Sequence, residues 1–101
     1  MTIQEFNSLV AENEYTVVKL GAVWCGPCHT MDTYIDQIQP EYQDVRFLTL
    51  NVDEEEEVTA NYRVRNIPVC LFFKNGELKD KTVGAVSVDP LNEKINNLKT
   101  V

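Results

Sequence analysis

The side chains able to do chemistry crowd into one stretch, AVWCGPCHT, from Ala22 to Thr30. Cys25 and Cys28 stand two residues apart and His29 follows directly. Three chemistries use these letters: a redox dithiol, the attachment motif of a c-type haem, or half of a zinc site. A structural zinc site takes four ligands, usually from two pairs. Beyond these three residues only Cys70 could join, and it lies in the apolar run VCLFF, where a free Cys behaves as a small hydrophobe. No metal site is therefore expected. CGPCH satisfies the haem pattern, but such a haem also wants a distal ligand such as Met. Met31 is two residues beyond His29 and Met1 is at the terminus, so neither suits. The dithiol fits the local physics better. An apolar β-type run leads into the motif and a helical pattern leaves it. Cys25 thus meets unpaired N–H groups at the positive end of a helix, which favour a thiolate. Gly26 allows a turn and the approach of a partner. Pro27 is tolerated in a first helical turn. Cys28 lies one turn inward, placed to attack a disulfide formed on Cys25.

The elements that must hold this motif are legible on both sides of it. Thr2 and Glu5 form a capping-box pattern that opens a helix over Ile3–Glu12, with Ile3, Phe6, Leu9 and Val10 on one face. YTVVKLGAVW reads as a buried strand, β-branched and mostly apolar. The helix after the cysteines turns Met31, Ile35 and Ile38 inward, and Pro40 ends or kinks it. VRFLTLNV is a second strand. DEEEEVTANYRV is a third helix that Asp53 can cap, its acids suiting the first turn. VCLFFKNGELKDKTVG is a hairpin closed by Asn75-Gly76. Asp89-Pro90 opens a last helix with Leu91, Ile95 and Leu98 facing inward. A helix joins the first two strands, so they should run parallel with a right-handed crossover, while the hairpin adds antiparallel strands. The expected class is α/β: a mixed four-stranded sheet with helices on both faces, in one domain over residues 1–101.

The 101 residues are 44% hydrophobic and 25% charged, with a net charge of −7. That composition suits a globular domain. It argues against nucleic acid as a partner, which calls for a basic face. The opening MTIQEFNSLVAENEY lacks the basic and apolar regions of a signal peptide, and no run is long enough for a membrane span. A cytoplasmic location is expected. Few cysteines in a reducing compartment point to catalysis or metal rather than a disulfide scaffold.

WCGPC resembles the active site of the thioredoxin family. NVDEEEE, YRVRNIPVCLFFKNGEL and VGAVSVDPL follow in the family's order and spacing, so the resemblance covers nearly the whole chain. It implies a thiol–disulfide oxidoreductase that reduces protein disulfides, with Cys25 as nucleophile and Cys28 as resolving thiol. It further implies a cis Pro68 and a substrate groove of Trp24, Ile67, Pro68 and Gly84. Trp24 and Ile67 could equally be core residues, and Gly84 a mere turn residue. No bound cofactor is implied, only a flavin- or NADPH-linked, thioredoxin-reductase-like protein that restores the dithiol. A partner-binding module of the same shape is the other class of function, though the retained cysteines speak against it.

The chain departs from the family pattern in four ways. The family's first strand has no counterpart, which leaves VRFLTLNV at a sheet edge and makes the protein a monomer or weakly self-associating. The family's kinking proline is Thr33. A family tryptophan is Gly21. The family's buried Asp is Lys19, and the Lys that partners this Asp is Thr49. Lys19 and Gly21 share one face of their strand, so Gly21 leaves room for the Lys19 side chain. Lys19 then either snorkels to water over its apolar stem or tunes the dithiol alongside Trp24, Gly26 and Pro27. In the tuning case it acts as a nearby cation or as a neutral amine that accepts the Cys28 proton.

Overall fold

The computed structural model describes residues 1–101. The order is α1 (Ile3–Val10), β1 (Tyr15–Gly21), α2 (Gly26–Ile38), β2 (Val45–Asn51), α3 (Glu56–Asn61), β3 (Val69–Lys74), β4 (Glu77–Val83) and α4 (Val88–Leu98). The strands lie in the order β2-β1-β3-β4, with β1 and β2 parallel and the other pairs antiparallel. A single sheet with helices on both faces is thus what forms, and β2 is an edge strand.

Alternation along the two central strands divides the interior. Val17 on β1 with Cys70 and Phe72 on β3 face α2 and α4, meeting Met31, Ile35, Leu91 and Ile95. Val18 and Leu20 with Val69, Leu71 and Phe73 face α1 and α3, meeting Phe6, Val10 and Val58. Both faces are covered, so these strands read as continuous apolar runs rather than alternating ones. Phe6, Tyr62 and Phe73 form an edge-to-face trio with ring centroids 5.6–6.0 Å apart. Such pairs add about 0.5–1.5 kcal/mol each beyond burial, enough to fix how α1 seats on the sheet.

Helix ends follow the sequence, with instructive exceptions. Thr2 accepts from the Glu5 N–H and Glu5 accepts from the Thr2 N–H, completing the capping box. α1 stops at Val10 rather than Glu12, because Glu12 folds back in a turn onto the Leu9 carbonyl. The Pro40 signal appears as a 3₁₀ turn at Gln39–Glu41 that ends α2. Asp53 does not cap α3: that helix starts three residues later, at Glu56, and no side chain caps it. α4 begins at Val88, one residue before the Asp-Pro pair. Asn75 and Gly76 both take positive φ, at 51° and 81°, as a tight two-residue hairpin turn demands.

Candidate active site

β1 ends at Gly21, and Ala22–Trp24 turn the chain so that Cys25 becomes the N-cap of α2. Gly26 and Pro27 fill the first two helical positions, where the missing proline N–H costs nothing. Cys25 and Cys28 form a disulfide across one helical turn, with Cα atoms 5.3 Å apart. Cys28 N–H donates to Cys25 Sγ at 3.2 Å. An unpaired helix-end donor therefore points at the sulfur that must carry negative charge when the bridge opens. Both sulfurs are sheltered: Cys25 is 5% exposed and Cys28 1%. Gly26 sits in ordinary backbone space, so it is not needed for the turn; no atom lies within 4 Å of where its Cβ would be, which leaves the approach to Cys25 open.

The turn before this buried bridge exposes two apolar side chains, Val23 and Trp24. Trp24 is 72% exposed, so core packing does not account for it. Its Nε1 donates to Asp53 Oδ2 at 2.9 Å, and the Asp53 N–H is held by Asn51. Asp53 thus holds the tryptophan, and it stands two residues before Glu55, the N-cap position of α3. Ile67 is half-buried against Cys25 and Cys28, and the Ile67–Pro68 bond is cis. Gly84 N–H donates to the Pro68 carbonyl at 2.8 Å, and Gly84 has φ +84°, a conformation that disfavours any side chain. Ile67 thus packs against the two cysteines, Trp24 stands exposed on the turn before them, and Pro68, itself buried, is tied to Gly84.

Lys19 is where the site departs most from a sequence reading. It is 3% exposed, so it does not snorkel. Its Nζ pairs with the Asp32 carboxylate, one helical turn beyond Cys28 on α2. Lys19 is thus neither a free cation nor an unpartnered amine. Asp32 was not singled out by sequence reasoning, though a signal existed: a lysine inside an apolar strand needs an anion, and Asp32 is on the adjoining helix at Cys28 plus four. Gly21 provides the space. A Cβ there would lie 3.0 Å from Cys28 Sγ and 3.3 Å from Lys19 Cε. A cavity of about 170 Å³ opens at this point, lined by Lys19, Gly21, His29, Asp32 and Thr49. Thr49 pairs with Lys19 in register across β1 and β2, and it is exposed.

His29 and Met31 do not serve a haem. His29 Nε2 is 2.6 Å from the Val23 carbonyl, which can only accept, so that nitrogen carries the proton. Its Nδ1 is 3.9 Å from Asp32 Oδ2. Met31 is fully buried in the core, and the two cysteines are joined to each other. Cys70 is packed in β3 opposite Lys19, with burial pushing its thiol up to about 12. No group of three or more His, Cys, Asp or Glu side chains is arranged to hold a metal ion.

Comparison with known proteins agrees with this geometry. The thioredoxin family model matches residues 1–97. Thioredoxin of Rickettsia prowazekii is 39% identical over 98 residues, covering 95% of this chain and 93% of that protein. The oxidized form of mitochondrial thioredoxin 3 from Saccharomyces cerevisiae superposes with a TM-score of 0.88 at 31% identity, covering 95% of this chain and 90% of that one. A further structure, from work on thiol resolution in yeast mitochondrial 1-Cys peroxiredoxin via glutathione/thioredoxin systems, gives 0.87 at 31% identity, with 93% and 88% covered. With a Cys-x-x-Cys bridge at the head of α2 and a match along nearly its full length, this chain belongs to the thioredoxin family of protein-disulfide oxidoreductases.

Proposed function

We propose that residues 1–101 work as one domain that reduces protein disulfides, with Cys25 as the attacking thiol and Cys28 as the resolving one. The observation that carries this reading is the bridge itself: Cys25 caps α2, accepts the Cys28 N–H, and directly follows the exposed apolar side chains of Val23 and Trp24. Cys25 thiolate attacks one sulfur of the substrate disulfide. A Cys25–substrate bond forms, the substrate S–S bond breaks, and the first substrate thiolate leaves and takes a proton. Cys28, losing its proton, then attacks Cys25 Sγ. The second substrate thiolate leaves, two electrons have passed to the substrate, and the Cys25–Cys28 disulfide remains. Trp24, Ile67, Pro68 and Gly84 line the groove that holds substrate backbone, Gly26 and Pro27 shape the approach, and Lys19 tunes the proton on Cys28.

On this reading the dithiol needs no bound cofactor and is restored by a thioredoxin-reductase-like protein in the cytoplasm, as one step of an electron-transport chain. No helix is long and apolar enough to cross a membrane. The substrates are disulfide-bearing proteins; the yeast neighbour studied with a peroxiredoxin supports that class. The exposed edge of β2 allows at most weak self-association.

The test is insulin reduction with trapping of mixed disulfides. Cys25→Ser should form no mixed disulfide, and Cys28→Ser should accumulate one. Insulin reduction by Cys25→Ser at the unmodified rate overturns the assignment.

A further inference from the structure

The chain is acidic, with sixteen Asp and Glu against nine Lys and Arg. Most of those cations are already engaged. Lys19, Arg46, Lys79, Lys94 and Lys99 pair with Asp32, Glu12, Glu77, Asp80 and Asp44. Lys74 donates to the Val101 backbone oxygen. The three that remain, Arg63, Arg65 and Lys81, make no ion pair, are all exposed, and line one cleft of about 170 Å³. Its floor is apolar, from Val69 and Leu71, and its rim carries Val83, which is 55% exposed. Arg63 holds φ +52°, a backbone region that favours glycine, yet the position keeps a long cation.

Both walls of the cleft lead along the chain to residues assigned above to the substrate groove. One wall is the Arg63–Asn66 loop, which runs directly into Ile67 and Pro68. The other is the end of β4, where Val83 leads into Gly84, itself bonded to the Pro68 carbonyl. β4 is an edge strand whose outer side has no partner. Lys81 stands three positions before Gly84, a rise of roughly 10 Å in extended chain.

We propose that this cleft docks an acidic segment of the protein substrate, with carboxylates about three residues from the reacting cysteine. The proposal rests on the reductase reading above and adds to it a class of preferred substrate. An unpaired cation cluster on an otherwise anionic body draws carboxylates to one edge and repels them elsewhere. Rim charges of this kind act on the association rate and its salt dependence. The apolar floor accepts the aliphatic residues between the carboxylates. Nucleic acid is a poor occupant, because the surrounding surface is acidic.

The test uses two disulfide peptides, alike except that one carries Asp and Glu three residues from its cysteines and the other Asn and Gln. Reduced protein should react with the acidic peptide about tenfold faster at low salt, and high salt should erase the preference. R63Q/R65Q/K81Q should lose the preference. K79Q/K94Q/K99Q, which removes as much charge from elsewhere, should keep it. Equal behaviour of the two triple variants, or no preference in the unmodified protein, overturns the proposal. A second measurement is independent of turnover. An acidic peptide with serine for cysteine should shift the amide resonances of residues 63–66 and 81–84. Absence of those shifts, or equal shifts from a short oligonucleotide, overturns the docking surface. If the unmodified protein reduces neither peptide, the reductase reading fails, and the resonance shifts still decide the docking.

Discussion

Lys19→Met deletes one positive charge beside the dithiol and keeps the buried stem. A Cβ at Gly21 would lie 3.0 Å from Cys28 Sγ and 3.3 Å from Lys19 Cε, so the sulfur and that carbon are close neighbours. Adding one C–N bond puts the ammonium no more than roughly 8 Å from the sulfur. A unit charge at that range contributes about 2 kcal/mol at an effective dielectric of 20 and about 0.5 kcal/mol at that of water. Loss of the cation should therefore raise the midpoint of Cys28 thiolate formation by about one pH unit. Resolution of a mixed disulfide near neutral pH should slow by up to about tenfold, in step with the thiolate fraction. The fold should survive, because a methionine replaces a buried ammonium and Asp32, with its side chain 39% exposed, can hydrate. Lys19→Met/Asp32→Asn removes both charges, and its midpoint should return part of the way. The assay is thiolate absorbance against pH on the reduced proteins, with stopped-flow resolution of a trapped complex. An unchanged midpoint together with an unchanged resolution rate refutes the argument and leaves the pair purely structural.

Gly21→Ala places a methyl 3.0–3.1 Å from the Cys28 side chain, so the start of α2 must shift; a loss of about 1–3 kcal/mol in urea unfolding is expected, and no loss refutes the close contact. Burial raises the Cys70 thiol from 9.0 to about 12, so as pH rises the unfolded chain gives up this proton first. Stability from this group is intact below about pH 9 and falls away toward pH 12, by up to about 4 kcal/mol, so Cys70→Ala should flatten the alkaline arm of a stability–pH curve. Tyr42 and Tyr62, also raised by burial, add the same slope to both proteins, and equal arms between pH 8 and 11 count against the burial argument. Asp53→Ala should free the sole tryptophan, lowering its fluorescence anisotropy, while far-ultraviolet dichroism stays unchanged because α3 does not use Asp53 as a cap; loss of helix signal contradicts that.

Period and punctuation carried most of the fold. The β1 run has apolar residues on both faces, and only a central strand covered by helices on both sides can use such a run. The capping box of Thr2 and Glu5 and the Asn75-Gly76 turn each specify a local geometry through a particular hydrogen bond or φ, and both form as read. Asp53 does not cap because α3 begins at Glu56, three residues on, and its carboxylate instead takes the indole N–H of Trp24, a donor far along the chain that only the folded state brings within reach. Asp32 stayed hidden for the same reason. Its signal lies in the pairing of a strand residue with a helix residue thirteen positions away, which no local period encodes. The cysteines were legible because their chemistry is local, set by one helical turn.

Lys19, Gly21 and Asp32 make sense only as a coupled set. A lysine on this face of β1 must run its stem past residue 21, and Lys19 Cε comes within 3.3 Å of where even a Cβ would stand there. A large ring at that position would displace the stem. A buried ammonium without an anion costs several kcal/mol or loses its proton, and Asp32 on α2 is the carboxylate that meets it. The resemblance places the acid on β1 and the lysine at Thr49, on the neighbouring strand; here the cation is on β1 and the acid is on the helix that carries the cysteines. Asp32 is thereby tied to the same rigid element as Cys28, four residues on. Asp32 and Cys28 thus ride on one helix, and the Lys19–Asp32 pair ties that helix to β1 beside the inner sulfur.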